Sequence, residues 1–351
     1  MFLTVIIFVA ILVILILIHE LGHFIVAKLC GVKVEEFAFG FPPRLFSLNF
    51  HGTRYSFNLI PLGGYVSLLG ENEDVKSPGS YYSQSVWRKI SIIVTGVLMN
   101  FLLAIIVLTI GFRIGMAPLV SDPASFSGEK LSQVMVVQVI PDSPAEKVGL
   151  GVGNILKGFA TPDELQQFTQ SHKNQEVNLT VQKGKNLENF KLKLASGEAP
   201  LGVGVVTVTQ VKLPLGQAFI AAVSEVLKSI LTIFQVLWAI IASLFTTGKT
   251  GVAGSAVVGP VGIFNFTASA LKVGWIYILQ LLAILSINLG IINILPFPAL
   301  DGGKILFLAL EGIFRKKVVR QEVENLIHTI GFIILIVLIL AITLRDILRF
   351  R

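Results

Sequence analysis

Charge is scarce in this chain. Of its 351 residues only 14% are charged, against about 25% in an ordinary soluble domain. Hydrophobic residues make up 54%, and mean hydropathy is +0.80. That balance excludes a disordered chain, which needs few apolar residues and many charges. It also argues against a single soluble globule and for several membrane spans. Cysteine is almost absent. Cys30 alone excludes an internal disulfide framework and any multi-cysteine metal site. With five histidines, any metal must be held by His, Asp or Glu. The formal charge is +7, which fits either nucleic-acid binding or basic loops on the cytoplasmic side of a membrane.

Long apolar runs are what the chain does have. Residues 1–18 carry no charge, and a hydrocarbon core takes about 20 helical residues. A signal peptide would need a basic start, a shorter apolar run and a small-residue cleavage site. The run instead flows into His19-Glu20-Leu21-Gly22-His23, so a retained span is expected. Ile90–Phe112, Trp275–Leu295 and Leu326–Leu344 are three further spans. Residues 216–247 are ambiguous: the first part is amphipathic and the second is apolar enough to cross.

Residues 116–212 differ in kind. Short β-branched runs (134–140, 176–182, 189–194, 203–209), Pro/Ser turns and a helix-like piece at 161–172 predict a small soluble α/β domain. It holds 9 Lys and 9 acidic residues. Its net charge is zero, so the +7 lies in the apolar remainder and gives no support to nucleic-acid binding. Basic residues gather in the loop holding Lys33, Arg44, Arg54, Lys76, Arg88 and Lys89. They gather again in the loop holding Lys304, Arg315, Lys316, Lys317 and Arg320. By the positive-inside rule both loops face the cytoplasm, and the soluble domain lies outside.

His19-Glu20-Leu21-Gly22-His23 is an HExxH pattern. Residues i and i+4 share a helix face, so both imidazoles can bind one Zn²⁺ while Glu20 acts as general base on its water. Each ionisable group in a membrane helix costs roughly 2.5–3.5 kcal/mol, and metal coordination compensates three of them. A polar helix end at the interface is the alternative. A catalytic zinc takes a third protein ligand. Asp301 is the candidate, in Asn293-Ile294-Leu295-Pro296-Phe297-Pro298-Ala299-Leu300-Asp301-Gly302-Gly303. Its alternative role is N-cap of a helix over Lys304–Phe314.

These paired motifs resemble the site-2 protease family of intramembrane zinc metalloproteases. PLGGY (Pro61–Tyr65) and GPVGI (Gly259–Ile263) are further matches. The order HExxH, PDZ-like domain, NxxPxPxLDGG is similar to the bacterial regulator-of-sigma-E protease branch. The resemblance implies one catalytic Zn²⁺ held by His19, His23 and Asp301, with Glu20 as catalytic base. It implies a substrate or carbonyl contact for Asn293, and a cleft near Pro296, Pro298, Gly63, Gly64 and Asn100; an ordinary turn is the other reading of Gly63 and Gly64. Asn100 follows Gly96 with Val97 where the family often has Pro, and an interhelical hydrogen bond is its other reading. The stretch Asp142–Leu156 resembles a PDZ domain, with Asn154 in place of the usual Asp. Such a domain binds a peptide end by strand addition or acts as a filter against bulky ectodomains.

The expected architecture is an α-helical multi-pass membrane protein with four spans. It has a cytoplasmic-side β-hairpin and an inserted extracytoplasmic PDZ-like α/β domain. The parts are 1–115 (HExxH helix, hairpin, second span), 116–212 (PDZ-like), 213–274 (amphipathic surface segment and Gly-rich loop) and 275–351 (third span, NxxPxPxLDGG, fourth span). His19, His23 and Asp301 meet on one side only if 216–247 does not cross. The hairpin is expected over 44–59 with its turn at His51-Gly52, its edge either pairing with an unwound substrate or having no substrate role. The expected activity is cleavage of single-span membrane proteins, such as trimmed anti-sigma factors or remnant signal peptides, in a bacterial inner membrane. The partners are those substrates and the lipid bilayer, and the active site faces the cytoplasmic side. The rival is a non-catalytic membrane scaffold that binds partners through its outer domain.

Overall fold

The computed structural model describes residues 1–71, 73, 75–184, 186–247 and 258–349. In chain order it runs α1 (Phe2–Leu29), β1 (Val34–Phe50), β2 (Thr53–Leu68), α2 (Val86–Ile114), β3 (Glu129–Val139), α3 (Pro144–Lys147), β4 (Ile155–Leu156), α4 (Pro162–Ser171), β5 (Glu176–Lys183), β6 (Asn186–Lys193), β7 (Val203–Lys212), α5 (Leu215–Thr247), α6 (Pro260–Val273), α7 (Trp275–Ile294), α8 (Asp301–Phe314) and α9 (Gln321–Arg349). Two compact units form. The first is Met1–Ile105, Ser229–Phe264 and Leu282–Arg351; the second is Ile106–Lys228 and Asn265–Leu281.

In the first unit, α1 is helical because eighteen uncharged, almost wholly apolar residues precede any charge. It stops at a Schellman turn. Gly31 takes φ +76°, its N–H meets Lys28 O at 3.0 Å, and Val32 N–H meets Ala27 O at 2.9 Å. Glycine suits that position because it lacks a β-carbon. The β1–β2 hairpin turns at His51 and Gly52, as expected, with φ of 47° and 74°. It is longer than the expected 44–59. Pro42, Pro43, Pro61, Gly63 and Gly64 all lie within strand. A two-stranded ribbon has only one paired edge per strand, so residues that punctuate a central strand are tolerated here.

Among the described residues, five helices are long and apolar enough to cross a membrane: Phe2–Leu29, Val86–Ile114, Leu215–Ile240, Trp275–Ile294 and Gln321–Leu348. The third of these, Leu215–Ile240, is the segment expected not to cross. Its amphipathic and apolar parts form one unbroken helix. The glycine-rich stretch 248–257, expected as part of a re-entrant or surface loop, lies outside the described residues.

In the second unit the strands pair antiparallel in the order β6-β5-β4-β3-β7. β5 alternates buried and exposed residues, as a sheet with one covered face must. Val134, Val136, Leu156, Val177, Leu179 and Val181 form the core with Leu165 of α4. Thr161 caps α4 through Glu164 N–H, and Glu164 returns a bond to Ala160 N–H, a reciprocal arrangement close to a capping box. Glu225 of α5 is fully buried, where it accepts the N–H groups of Leu119 and Val120 at 2.7 and 3.1 Å.

Candidate metal centre and membership of a protease family

The one-turn spacing of His19 and His23 puts both rings on the same face of α1. Their Nε2 atoms lie 3.2 Å apart. Asp301 Oδ2 approaches them at 3.1 and 3.4 Å. The three atoms form a metal-capable cluster within 4.8 Å. Asp301 is the first residue of α8, and its N-cap is Leu300 without a side-chain cap bond. The carboxylate therefore points into the cluster, and the capping alternative falls away.

Two nitrogens and one oxygen at this spacing need a shared partner. Asp301 Oδ2 is buried without a properly directed hydrogen bond, which is costly for a carboxylate. Zinc bonds of about 2.0–2.1 Å set tetrahedral ligand atoms roughly 3.4 Å apart, close to the separations here. The donor set fits a zinc ion.

Surrounding groups orient the rings. His23 Nδ1 lies 2.9 Å from Ile92 O; donating there leaves Nε2 as the free lone pair, the usual arrangement for a ligating histidine. His19 Nδ1 faces the side-chain amide of fully buried Asn100 at 3.2 Å. Asn100 Oδ1 is buried without a partner. Turning that amide over lets Oδ1 accept His19 Nδ1–H, which again frees Nε2. Asn293 of α7 places its amide 3.2 Å from His19 Nε2.

Small residues let the elements converge. A β-carbon at Gly22 would meet the backbone of Thr95 and Gly96, and one at Gly96 would meet both imidazoles. Gly64 of β2 lies against Ile16 and the Glu20 side chain of α1, so the PLGGY strand reaches the helix that carries Glu20. Gly63, at φ +131°, lies instead against the Phe41 ring. Pro296 falls between α7 and α8, and Pro298 packs against Gly331 of α9.

The family model described as Peptidase family M50 matches residues 7–338. The chain belongs to peptidase family M50. As an M50 member, the site-2 protease family, it is a zinc metalloprotease. A protein of Clostridium perfringens named as a zinc metalloprotease is 32% identical over 95% of both chains. One of Campylobacter jejuni is 32% identical over 95% of this chain and 90% of its own. Zinc metalloprotease RasP of Oceanobacillus iheyensis is 27% identical over 99% of both. Family membership and the apolar helices together describe an intramembrane protease of a bacterial membrane.

Sequence reasoning missed two contacts of this M50 chain. Lys304 Nζ donates to Glu71 Oε1 at 2.6 Å, tying the turn after β2 to α8 one turn past Asp301. The Glu71 carboxylate holds the Lys304 ammonium above the usual lysine range. The pair lines a cavity of about 660 Å³ with Tyr81, Lys89, Glu324 and His328. The second is Asp346 of α9, 2% exposed, whose Oδ2 accepts the N–H groups of Gly259 and Gly262 at 2.9 and 3.0 Å. It anchors GPVGI at the start of α6, where a carboxylate also suits the helix dipole. The one usable signal was a lone acid at the end of an apolar run.

Proposed function

We propose that this chain is a four-span intramembrane endopeptidase that cuts the membrane segments of single-span proteins near the cytoplasmic side. His19, His23 and Asp301 would hold the zinc. Bound there, zinc supplies Lewis-acid polarisation and lowers the pKa of water. Glu20, adjacent in sequence to His19 and beside Gly64, takes the proton from the attacking water and passes it to the leaving amine. Asn293 orients the scissile carbonyl. The β2 edge near Gly64 pairs with substrate backbone, keeping it extended so that the carbonyl leaves its helix ladder.

The observation that carries this reading is the convergence of three donor atoms at zinc spacing, supported by family membership. In this reading α5 does not complete a crossing, which keeps Asp301 on the side of His19 and His23. The sheet unit is a PDZ-like extracytoplasmic domain that meets a peptide or excludes bulky ectodomains. Trimmed anti-sigma factors and remnant signal peptides are the substrate class. The test is the Glu20→Gln variant trapped in its native membrane: a single-span protein should co-purify, and the purified variant should not cleave it. Persisting cleavage would sink the proposal. A scaffold, by contrast, would contain no stoichiometric zinc and would tolerate His23→Ala.

A further inference from the structure

The turn that delivers Asp301 contains an uncommon backbone. Ala299 takes φ +75°, a left-handed conformation that a residue with a β-carbon rarely adopts. It stands two residues before Asp301, so its conformation sets the direction in which α8 starts. Something must hold it there. The Ala299 N–H donates to Nδ1 of His328 on α9 at 2.9 Å. That ring is itself fixed edge-on to Phe307 of α8, with centroids 5.7 Å apart at 62°. α9 comes this close because residue 331 is glycine, where a β-carbon would overlap Pro298. Two consecutive residues of the turn, Pro298 and Ala299, are thus gripped by one helix.

The imidazole is used for its nitrogen and not only for its bulk. Accepting from Ala299 requires an unprotonated Nδ1, hence the neutral ring with its proton on Nε2. Nε2 is buried with no partner among the described residues. A ring needed only for packing would be better served by phenylalanine, which leaves no polar atom unsatisfied.

We propose that His328 is a positioning residue: it accepts the Ala299 N–H and so holds the left-handed turn that aims Asp301 at His19 and His23. The proposal rests on the reading of Asp301 as a metal ligand. Full-length protein in bilayer nanodiscs, loaded with zinc, provides the test. Zinc release to a chelator is followed beside kcat and KM on a single-span substrate.

His328→Phe should release zinc roughly tenfold faster, as loss of an orienting contact does, and should lower kcat with KM unchanged. His328→Asn, whose Oδ1 can stand where Nδ1 does, should restore both. Ala299→Gly in the His328→Phe background should also restore them, because glycine takes positive φ freely. Ala299→Val strains the turn while His328 stays in place and should speed release in the same way. Parental zinc retention in His328→Phe, or a loss that neither Asn nor Ala299→Gly restores, overturns the proposal. Asp301→Ala separates the two readings. If it keeps zinc, the ligand assignment fails; if it loses zinc while the His328 variants behave as the parent, only the positioning role fails.

Discussion

The two units of this protein follow opposite rules. The sheet unit hides apolar side chains: Val134, Val136 and Val181 are fully buried, while Glu176, Glu188, Lys191 and Lys193 of β5 and β6 stand exposed. The helical unit also buries polar groups and turns much of its apolar surface outward. Asn100 and Ser286 are fully buried and His19 nearly so, whereas Ile333, Ile334, Val337 and Leu340 face outward. In water, burying apolar surface drives folding. In lipid that drive is gone, and helices associate through close packing of small residues and interhelical hydrogen bonds. Gly22 against Thr95–Gly96, and Ser286 donating to Asn100 O at 2.7 Å, are this second kind of cement. The same polar contacts that hold the helices also orient the proposed metal ligands, so structure and chemistry there would be one network.

This contrast can be broken by measurement. The largest effect is expected from Glu20→Gln, which removes a proton acceptor and nothing structural. Turnover should fall roughly 10²–10⁴-fold, with zinc content and thermal midpoint unchanged. Lost zinc would show that Glu20 also belongs to the packing network. Next is Leu156→Ala in the sheet core, which should cost about 2–5 kcal/mol, read as an earlier unfolding step while zinc stays bound. Zinc loss in step with that unfolding would collapse the distinction between the units.

Gly96→Ala should do the reverse. Its methyl group would push into both imidazoles and weaken zinc binding about 10–100-fold in chelator competition, leaving the sheet unit untouched. Gly197→Ala, with open space around it, is the silent control. The smallest effect is expected at the surface pair Lys191–Glu176, 2.9 Å apart. The Lys191 ammonium holds the Glu176 carboxyl below its usual range. Its contribution is therefore present above the ordinary carboxylate pKa and is lost as pH falls through the lowered value. Both groups are solvent-screened, so Glu176→Gln should leave the unfolding midpoint unmoved at neutral pH.

Legibility in the sequence followed the same divide. The strands at 134–140 and 176–182 and the helix at 161–172 were readable because period-two and capping signals are strong in a water-facing domain. The histidines were readable because i, i+4 spacing is local. Asp301 was found through its motif, and Asn100 and Asn293 were marked without their shared target, the two nitrogens of His19. The hairpin was read too short because Pro42-Pro43 and Gly63-Gly64 imitate turns. Lys304–Glu71 and Asp346–Gly259 stayed hidden, since each joins residues far apart in the chain. The contact of His328 with Ala299 stayed hidden too, because a backbone φ leaves no trace in a one-letter code.

α9 is tied near both ends and bare between. His328 holds the Asp301 turn, and Asp346, eighteen residues on, holds the start of α6. At 1.5 Å per residue that span is about 27 Å, close to a hydrocarbon thickness of about 30 Å. A rod of this length answers to the sheet of oil around it. If α9 crosses the bilayer, thicker or thinner membranes would tilt it or load its tethers, and membrane thickness would become an input to catalysis. Vesicles of graded acyl-chain length should show a rate optimum, and Asp346→Ala, by cutting the far tether, should flatten it.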